Sequence, residues 1–120
     1  MTSTSLDSII VAADRLATAA ATATPCAPVR DLIDASDIDA AYAVQQHNVE
    51  NEIRSGRVIV GRKIGLTSPA VQAQLGVDRP DFGVLFADMD VSGEQPVALS
   101  RLLQPKIEAE IAFTLSAETS

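Results

Sequence analysis

The spacing of apolar residues predicts an amphipathic helix near the start of the chain. Between Ser5 and Ala23, apolar residues recur every three or four positions, which places them on one face of a helix. This face comprises Leu6, Ile9, Ile10, Ala13, Leu16, Ala17 and Ala20. Ser5 is the expected N-cap, because its hydroxyl oxygen can accept a hydrogen bond from the first turn. The two prolines within residues 24–28 then predict a connector, since a proline lacks a backbone donor.

A second helix is predicted to start at Ser36 and to run to Ile53. Ser36 and Asp39 have the spacing of a capping box, in which two side chains satisfy free backbone donors of the first turn. The face expected to pack comprises Ile38, Ala41, Tyr42, Gln45, Val49 and Ile53. Arg54 and Gly56 supply a basic last turn and a C-terminal stop.

Beyond Arg57 the pattern changes from helical periodicity to that of β-structure. Three consecutive β-branched residues open this region and predict a strand over residues 58–66. Ser68 and Pro69 then form a helix start, because serine caps well and proline fits the first helical position. Gly76 closes this short helix.

The remainder of the chain predicts two further strands. Turn residues over 78–83 indicate a loop, and the apolar residues 84–86 form a short strand after it. Over residues 107–115 apolar and polar positions alternate, which is the period of a half-buried strand. Helices followed by strands indicate an α+β fold, with a helical region over residues 1–56 and the first part of an incomplete β-rich domain over 57–120.

The chain ends a few residues after the last predicted strand. We therefore expect it to be the N-terminal part of a longer protein, truncated within the β-rich domain. The apolar side chains of that strand would then lack cover, and we expect the isolated 120 residues to be poorly stable and inactive.

Composition narrows the classes of partner. Nine Lys and Arg against 16 Asp and Glu give a formal charge of −7, which would repel a nucleic-acid backbone. Cys26 is the single cysteine and cannot form an internal disulfide, so a reducing cytoplasm is expected. The apolar run over residues 6–23 is interrupted by Asp7, Asp14 and Arg15, which argues against a membrane span.

Glu108 and Glu110 are the best local candidates for metal ligands. Residues two apart on a strand project to the same face, so both carboxylates would point one way. Two carboxylates held close together favour a cation between them, and Mg²⁺ prefers oxygen ligands. On spacing alone, a solvated strand face is the commoner explanation of such a pair.

Lys63 and Asp81 are candidate catalytic residues. Lys63 lies between Gly61 and Gly65 in an otherwise apolar strand. A lysine at this position could hold a substrate carboxylate or stabilise an enolate. It could equally be an edge-strand lysine that prevents pairing with other chains. Asp81 follows a proline in a predicted loop, where either catalysis or local capping is possible.

Four ordered sequence blocks resemble one enzyme family. The blocks are GRKIGLTS at residues 61–68, VQAQLGVD at 71–78, PDFGVLFADM at 80–89 and LLQPKIEAEI at 102–111. Together they look like the 2-hydroxypenta-2,4-dienoate (2-keto-4-pentenoate) hydratases of the fumarylacetoacetate hydrolase superfamily. The resemblance implies that Glu108 and Glu110 are two of three carboxylate ligands to Mg²⁺ or Mn²⁺, with the third expected beyond Ser120. It also implies that Lys63 and Asp81 are catalytic, with Lys63 contacting the substrate.

The implied activity is addition of water to 2-hydroxypenta-2,4-dienoate, giving 4-hydroxy-2-oxopentanoate in the degradation of aromatic compounds. Decarboxylation of a 2-oxo diacid, as in the 4-oxalocrotonate decarboxylases, is the alternative because those enzymes share these blocks. A non-catalytic interaction module that docks through the helix over residues 6–23 is a third reading. We expect a small 2-oxo or 2-hydroxy-dienoate as the substrate, a homo-oligomer at full length, and neither nucleic acid nor membrane as a partner.

Overall fold

A computed structural model describes residues 4–93 and 96–117. Within these residues the chain forms three α-helices and one antiparallel two-stranded sheet. In chain order they are α1 (Leu6–Thr22), α2 (Ile38–Arg54), β1 (Ile59–Gly65), α3 (Pro69–Leu75) and β2 (Asp81–Phe86). Single turns of 3₁₀-helix occur at Val29–Asp31, Ala87–Met89 and Leu99–Arg101. The arrangement is α+β, as the order of sequence patterns predicted.

Helices α1 and α2 pack against each other through small residues. The core of buried side chains consists of Ala12, Ala13, Ile33, Ala40 and Val44. Alanine brings the helix backbones close together, and the Asn48 side-chain amide donates a hydrogen bond across this contact to the Ala13 carbonyl at 3.1 Å. The predicted apolar face of α1 was partly wrong: Leu6 is 69% exposed, whereas Ala12 is fully buried.

The capping residues were predicted correctly for α1 and incorrectly for α2. The Ser5 hydroxyl accepts from the Ser8 backbone N–H at 3.2 Å, as expected. Helix α2 is capped by Asp37, whose Oδ1 accepts from the Ala40 N–H at 3.0 Å. Ser36 instead donates to Asp34, so no capping box forms at Ser36. The reason is local. Ser36 and Asp34 form a tight turn with each other, so the Asp37 carboxylate is the one that faces the first turn of α2.

Arg57 connects the end of α2 to the far end of the sheet. Its guanidinium makes paired hydrogen bonds to both carboxylate oxygens of Asp88 and one bond of 3.2 Å to Glu52. It also lies over the ring of the buried Phe86, 4.2 Å from the centroid. The hydrogen bond to Arg57 holds the pKa of the Asp88 carboxyl below its usual value.

The sheet differs from the sequence prediction mainly in β2. The predicted first strand over residues 58–66 is confirmed in type and shortened by one residue at each end in β1. Strand β2 begins at Asp81 and not at residue 84, so part of the predicted loop is strand. Pairing with β1 explains the difference, because a strand partner satisfies backbone groups that local turn propensity leaves open.

The short helix α3 begins and ends where the sequence predicted. Ser68 holds the N-cap position, although its side chain makes no capping hydrogen bond. Gly76 ends the helix in the left-handed conformation at φ 72°, which glycine adopts without strain. The Gln72 side-chain amide donates to the Leu66 carbonyl at 2.7 Å and so ties α3 back to the end of β1.

The strand predicted over residues 107–115 does not form in this structure. These residues carry no helix or strand, and their apolar side chains are exposed, with Ile107 at 103% and Phe113 at 87% of full exposure. A period-two pattern specifies which side chains would be buried, but a strand also needs a partner for its backbone hydrogen bonds.

No helix in the described ranges is long and apolar enough to cross a membrane.

The capping of α2 yields a stability prediction. Thr4 and the Ala40 N–H both donate to the Asp37 carboxylate, which lowers its pKa from the ordinary 3.8. We expect Asp37→Ala to lower the melting temperature at pH 7 by about 5 °C, a size typical of a lost cap in a small domain. Circular dichroism measures the change, and Ser36→Ala is the matched control that should have a much smaller effect.

The same carboxylate predicts a pH dependence. Because folding lowers the Asp37 pKa, its contribution is present in full above the unfolded value and is lost as pH falls through the folded value. The difference in melting temperature between the original protein and Asp37→Ala should therefore shrink in acid below about pH 4. An equal difference at pH 7 and pH 2.5 would contradict the assignment of Asp37 as an ionised cap.

Candidate active site

The register of the sheet brings Lys63 and Asp81 together on one face. Lys63 pairs with Gly83, and Asp81 pairs with Gly65, so each charged residue faces a glycine across the ladder. The two side chains are diagonal neighbours and meet across the glycines. The distance from Lys63 Nζ to Asp81 Oδ2 is 3.5 Å, and both side chains are about half exposed.

Gly65 provides the space in which this pair meets. A Cβ atom at this position would fall on the Asp81 Oδ1 atom and would lie 3.2 Å from Lys63 Nζ. The aliphatic part of Lys63 passes over Gly83 in a similar way, with Cε 3.4 Å from the point where a Cβ would stand. Gly65 is therefore required by the close approach of side chains and not by backbone conformation, whereas Gly83 meets the Lys63 stem at an ordinary contact distance.

The two carboxylate oxygens of Asp81 have different surroundings. Oδ2 faces the lysine ammonium, whereas Oδ1 is enclosed and has no hydrogen-bond partner among the described residues. A buried acceptor without a donor costs free energy unless a ligand or a proton satisfies it. A half-exposed ion pair such as Lys63–Asp81 contributes little to stability.

Two side chains of α2 hold the backbone beside Asp81. The Phe82 N–H donates to Tyr42 Oη at 3.1 Å, and the Gln45 side-chain amide donates to the Phe82 carbonyl at 3.1 Å. The sequence placed Tyr42 and Gln45 on a packing face, but it gave no sign of their target. Their spacing of three residues on a helix is the signal that they act on one partner.

An open pocket of about 870 Å³ lies between α2 and the loop that leads into β2. Its walls include Tyr42, Phe82, Val77 and Arg79, and Asp81 lies on its border. Arg79 pairs with the adjacent carboxylate of Asp78 at 2.9 Å, which lowers the Asp78 pKa. The pocket therefore combines apolar side chains with one member of the charged pair, Asp81, whereas Lys63 is not among the residues that line it.

In the described part of the chain, no ion pair and no group of possible metal ligands joins Glu108 or Glu110 to Lys63 or Asp81. Both glutamates are exposed, in the segment that lacks secondary structure. Residues 4–93 and 96–117 contain no group of three or more side chains that could hold a metal ion. The carboxylate oxygens of Glu108 and Glu110, with one residue between them, are nevertheless the type of ligand that a hard divalent cation prefers.

Comparison with known proteins identifies close relatives. The chain is 58% identical over 104 residues to 2-keto-4-pentenoate hydratase 2 of Dechloromonas aromatica (strain RCB), which covers 87% of this chain and 40% of the relative. It is 55% identical over 104 residues to the TodF product hydratase of Pseudomonas putida (strain F1), covering 87% of this chain and 39% of the relative. No protein-family model matches the chain.

A solved structure is similar in fold. The 4-oxalocrotonate decarboxylase from Pseudomonas putida G7, complexed with magnesium and adipate, matches with a TM-score of 0.65 and 28% identity. The match covers 72% of this chain and 33% of the decarboxylase chain. This chain thus spans about two fifths of the length of its curated relatives and one third of the solved structure. Over the residues that match, the chain is similar to the 2-keto-4-pentenoate hydratases, at 52–58% identity to three relatives of that name.

Proposed function

We propose that this sequence carries part of the active site of a hydratase that converts 2-hydroxypenta-2,4-dienoate to 4-hydroxy-2-oxopentanoate. The observation that carries the proposal is the meeting of Lys63 and Asp81 over Gly65, in a chain 58% identical to a 2-keto-4-pentenoate hydratase. Such a pair offers one positive group and one proton acceptor within reach of a single small substrate.

The reaction is a proton transfer followed by addition of water. The hydroxyl group on C2 of the dienol loses its proton and C5 gains one, which gives an unsaturated 2-oxo acid. The conjugated ketone makes C4 electrophilic, so the oxygen of water bonds to C4 and a proton adds to C3. Atoms balance as substrate plus one water, and no electrons are exchanged with another molecule.

Lys63 and Asp81 divide the tasks that this reaction sets. The Lys63 ammonium opposes the negative charge of the substrate carboxylate or of the enolate formed during proton transfer. Asp81 accepts a proton or orients the attacking water.

Glu108 and Glu110 are proposed as ligands to Mg²⁺ or Mn²⁺ in the complete site. The solved decarboxylase is complexed with magnesium in one structure and with calcium in another, which supports a divalent cation. When bound, such a cation stabilises negative charge on the substrate oxygens. The two exposed carboxylates would hold it through hard oxygen donors.

Decarboxylation of a 2-oxo diacid is a second candidate. The match to 4-oxalocrotonate decarboxylase favours it, and loss of CO₂ from such a substrate also passes through an enolate that Lys63 could stabilise. The hydratase takes precedence because its named relatives are more similar in sequence, at 55–58% against 28%.

The decisive experiment follows absorbance of the dienol together with release of CO₂. We expect Mn²⁺- or Mg²⁺-dependent loss of the dienol absorbance without CO₂. This turnover is expected of a chimera in which the chain replaces the matched segment of the Dechloromonas hydratase, and this chain alone, assayed beside it, is expected to be inactive. Release of CO₂ from 4-oxalocrotonate would select the decarboxylase, and an inactive but folded chimera would contradict both enzymatic proposals.

Glu108→Gln tests the proposed metal site. Replacing one anionic oxygen ligand by a neutral amide weakens attraction for a hard cation, so we expect Mn²⁺ affinity in the chimera to fall by at least about tenfold. Isothermal calorimetry measures the affinity, and circular dichroism confirms that the fold is unchanged. Glu50→Gln on the exposed face of α2 is the matched control; equal Mn²⁺ affinity in all three proteins would exclude Glu108 as a ligand.

Gly65→Ala tests the space beneath the acid–base pair. The added methyl group must displace the Asp81 carboxylate, and because a side-chain end can rotate away, the fold should survive. We expect hydration by the chimera to fall by about ten- to a hundredfold, the range for displaced catalytic groups. Gly61→Ala is the control, since a Cβ there meets only Leu85 Cδ1 at an ordinary 3.7 Å. Similar rates for the two variants would show that the pair is not used.

A further inference from the structure

Both backbone groups of Phe82 are held by one helix. Its N–H donates to Tyr42 Oη and its carbonyl accepts from Gln45 Nε2, each at 3.1 Å. In an antiparallel pair the N–H and C=O of one residue point to the same side. Since both bonds of Phe82 go to α2, this residue presents its polar groups to the outer edge of β2, away from β1.

These two bonds act on the peptide groups on either side of Phe82. The Phe82 nitrogen belongs to the planar peptide unit that begins at Asp81, so the bond to Tyr42 restricts the rotation that aims the Asp81 side chain. The Phe82 carbonyl belongs to the peptide unit that leads to Gly83, on which the stem of Lys63 lies. Each of these two α2 side chains therefore restrains the backbone next to one member of the Lys63–Asp81 pair.

The position of Asp81 in the sheet makes such restraint necessary. Asp81 is the first residue of β2, and its pairing with Gly65 is the last of the ladder. The end of an isolated two-stranded ribbon frays readily, because few contacts hold it. The weak attraction between two half-exposed charges does not fix their distance by itself.

We infer that Tyr42 and Gln45 form a positioning clamp that sets the geometry of the Lys63–Asp81 pair. The inference rests on the proposed function for its catalytic consequence, but the geometry of the clamp is independent of the reaction. The clamp residues touch neither charged group through a hydrogen bond in the described structure; they act through the backbone of Phe82. They are positioning residues and not catalytic ones.

The test uses two variants that remove one bond each. Tyr42→Phe removes the hydroxyl and keeps the ring, and Gln45→Met removes the amide while keeping side-chain length and helix propensity. Gln46→Met is the matched control, because among the described residues the Gln46 amide hydrogen-bonds to Glu50 on the same helix, at 3.2 Å, and not to the sheet. Circular dichroism verifies that each variant is folded.

The first readout is the ¹³C chemical shift of the Asp81 carboxyl carbon in this chain. We expect it to move in Tyr42→Phe and Gln45→Met and to stay in place in Gln46→Met. The second readout is steady-state kinetics of the chimera with the dienol, where kcat should fall by about ten- to a hundredfold with KM changed by less than about threefold. A purely structural anchor would lower stability without moving the carboxyl signal of the folded protein.

Each outcome decides the inference. Unchanged carboxyl shifts in either folded variant, or an equal loss of kcat in Gln46→Met, would overturn the clamp. Unfolding of one variant leaves the decision to the other, and unfolding of both would show that the contacts are structural. If the unsubstituted chimera is inactive, the proposed function fails, while the carboxyl shifts still decide whether the clamp positions Asp81.

Discussion

The antiparallel register of β1 and β2 is the constraint on which the candidate site depends. It sets Lys63 opposite Gly83 and Asp81 opposite Gly65, so that the charged side chains converge over residues without a side chain of their own. A shift of one residue would send the two charges to opposite faces of the ribbon, because strand side chains alternate. The pairing of two short strands therefore decides whether an acid–base pair exists at all.

The helices supply what such a short ribbon lacks. A two-stranded sheet is only marginally stable by itself. Here α2 is held in place by the alanine-rich contact with α1 and by its Asp37 cap. Arg57 then ties the end of α2 to Asp88 beyond β2, while Tyr42 and Gln45 reach the start of that strand. Side chains of α2 and of the segment directly after it therefore hold both ends of β2. The geometry of the Lys63–Asp81 pair then depends on the position of α2.

The geometry of the Lys63–Asp81 pair depends on its surroundings, because the pair itself is held only weakly. The attraction between half-exposed charges is weak, so the pair does little for stability. The enclosed and unpaired Oδ1 of Asp81 is the costly feature. Satisfying this oxygen requires a donor that the described residues do not supply.

Local sequence signals determined much of this protein correctly. Apolar spacing predicted α1 and α2, Ser68 with Pro69 and Gly76 marked α3, and four ordered blocks identified the family. These features depend on backbone propensities and on neighbours within one or two turns, which the sequence states directly. The sequence also singled out Lys63 and Asp81, although it assigned Asp81 to a loop.

Tertiary structure decided what depends on partners distant along the chain. Asp81 lies in a strand because β1 pairs with it, and Tyr42 contacts Phe82 because packing places α2 beside the sheet. The alternating pattern over residues 107–115 predicted a strand that does not form, since alternation specifies a buried face without providing the partner that satisfies the backbone. The capping of α2 by Asp37 was likewise settled by the turn that Ser36 makes with its neighbour. Sequence therefore determined the elements and the identity of the charged residues, and tertiary pairing determined which of those residues meet.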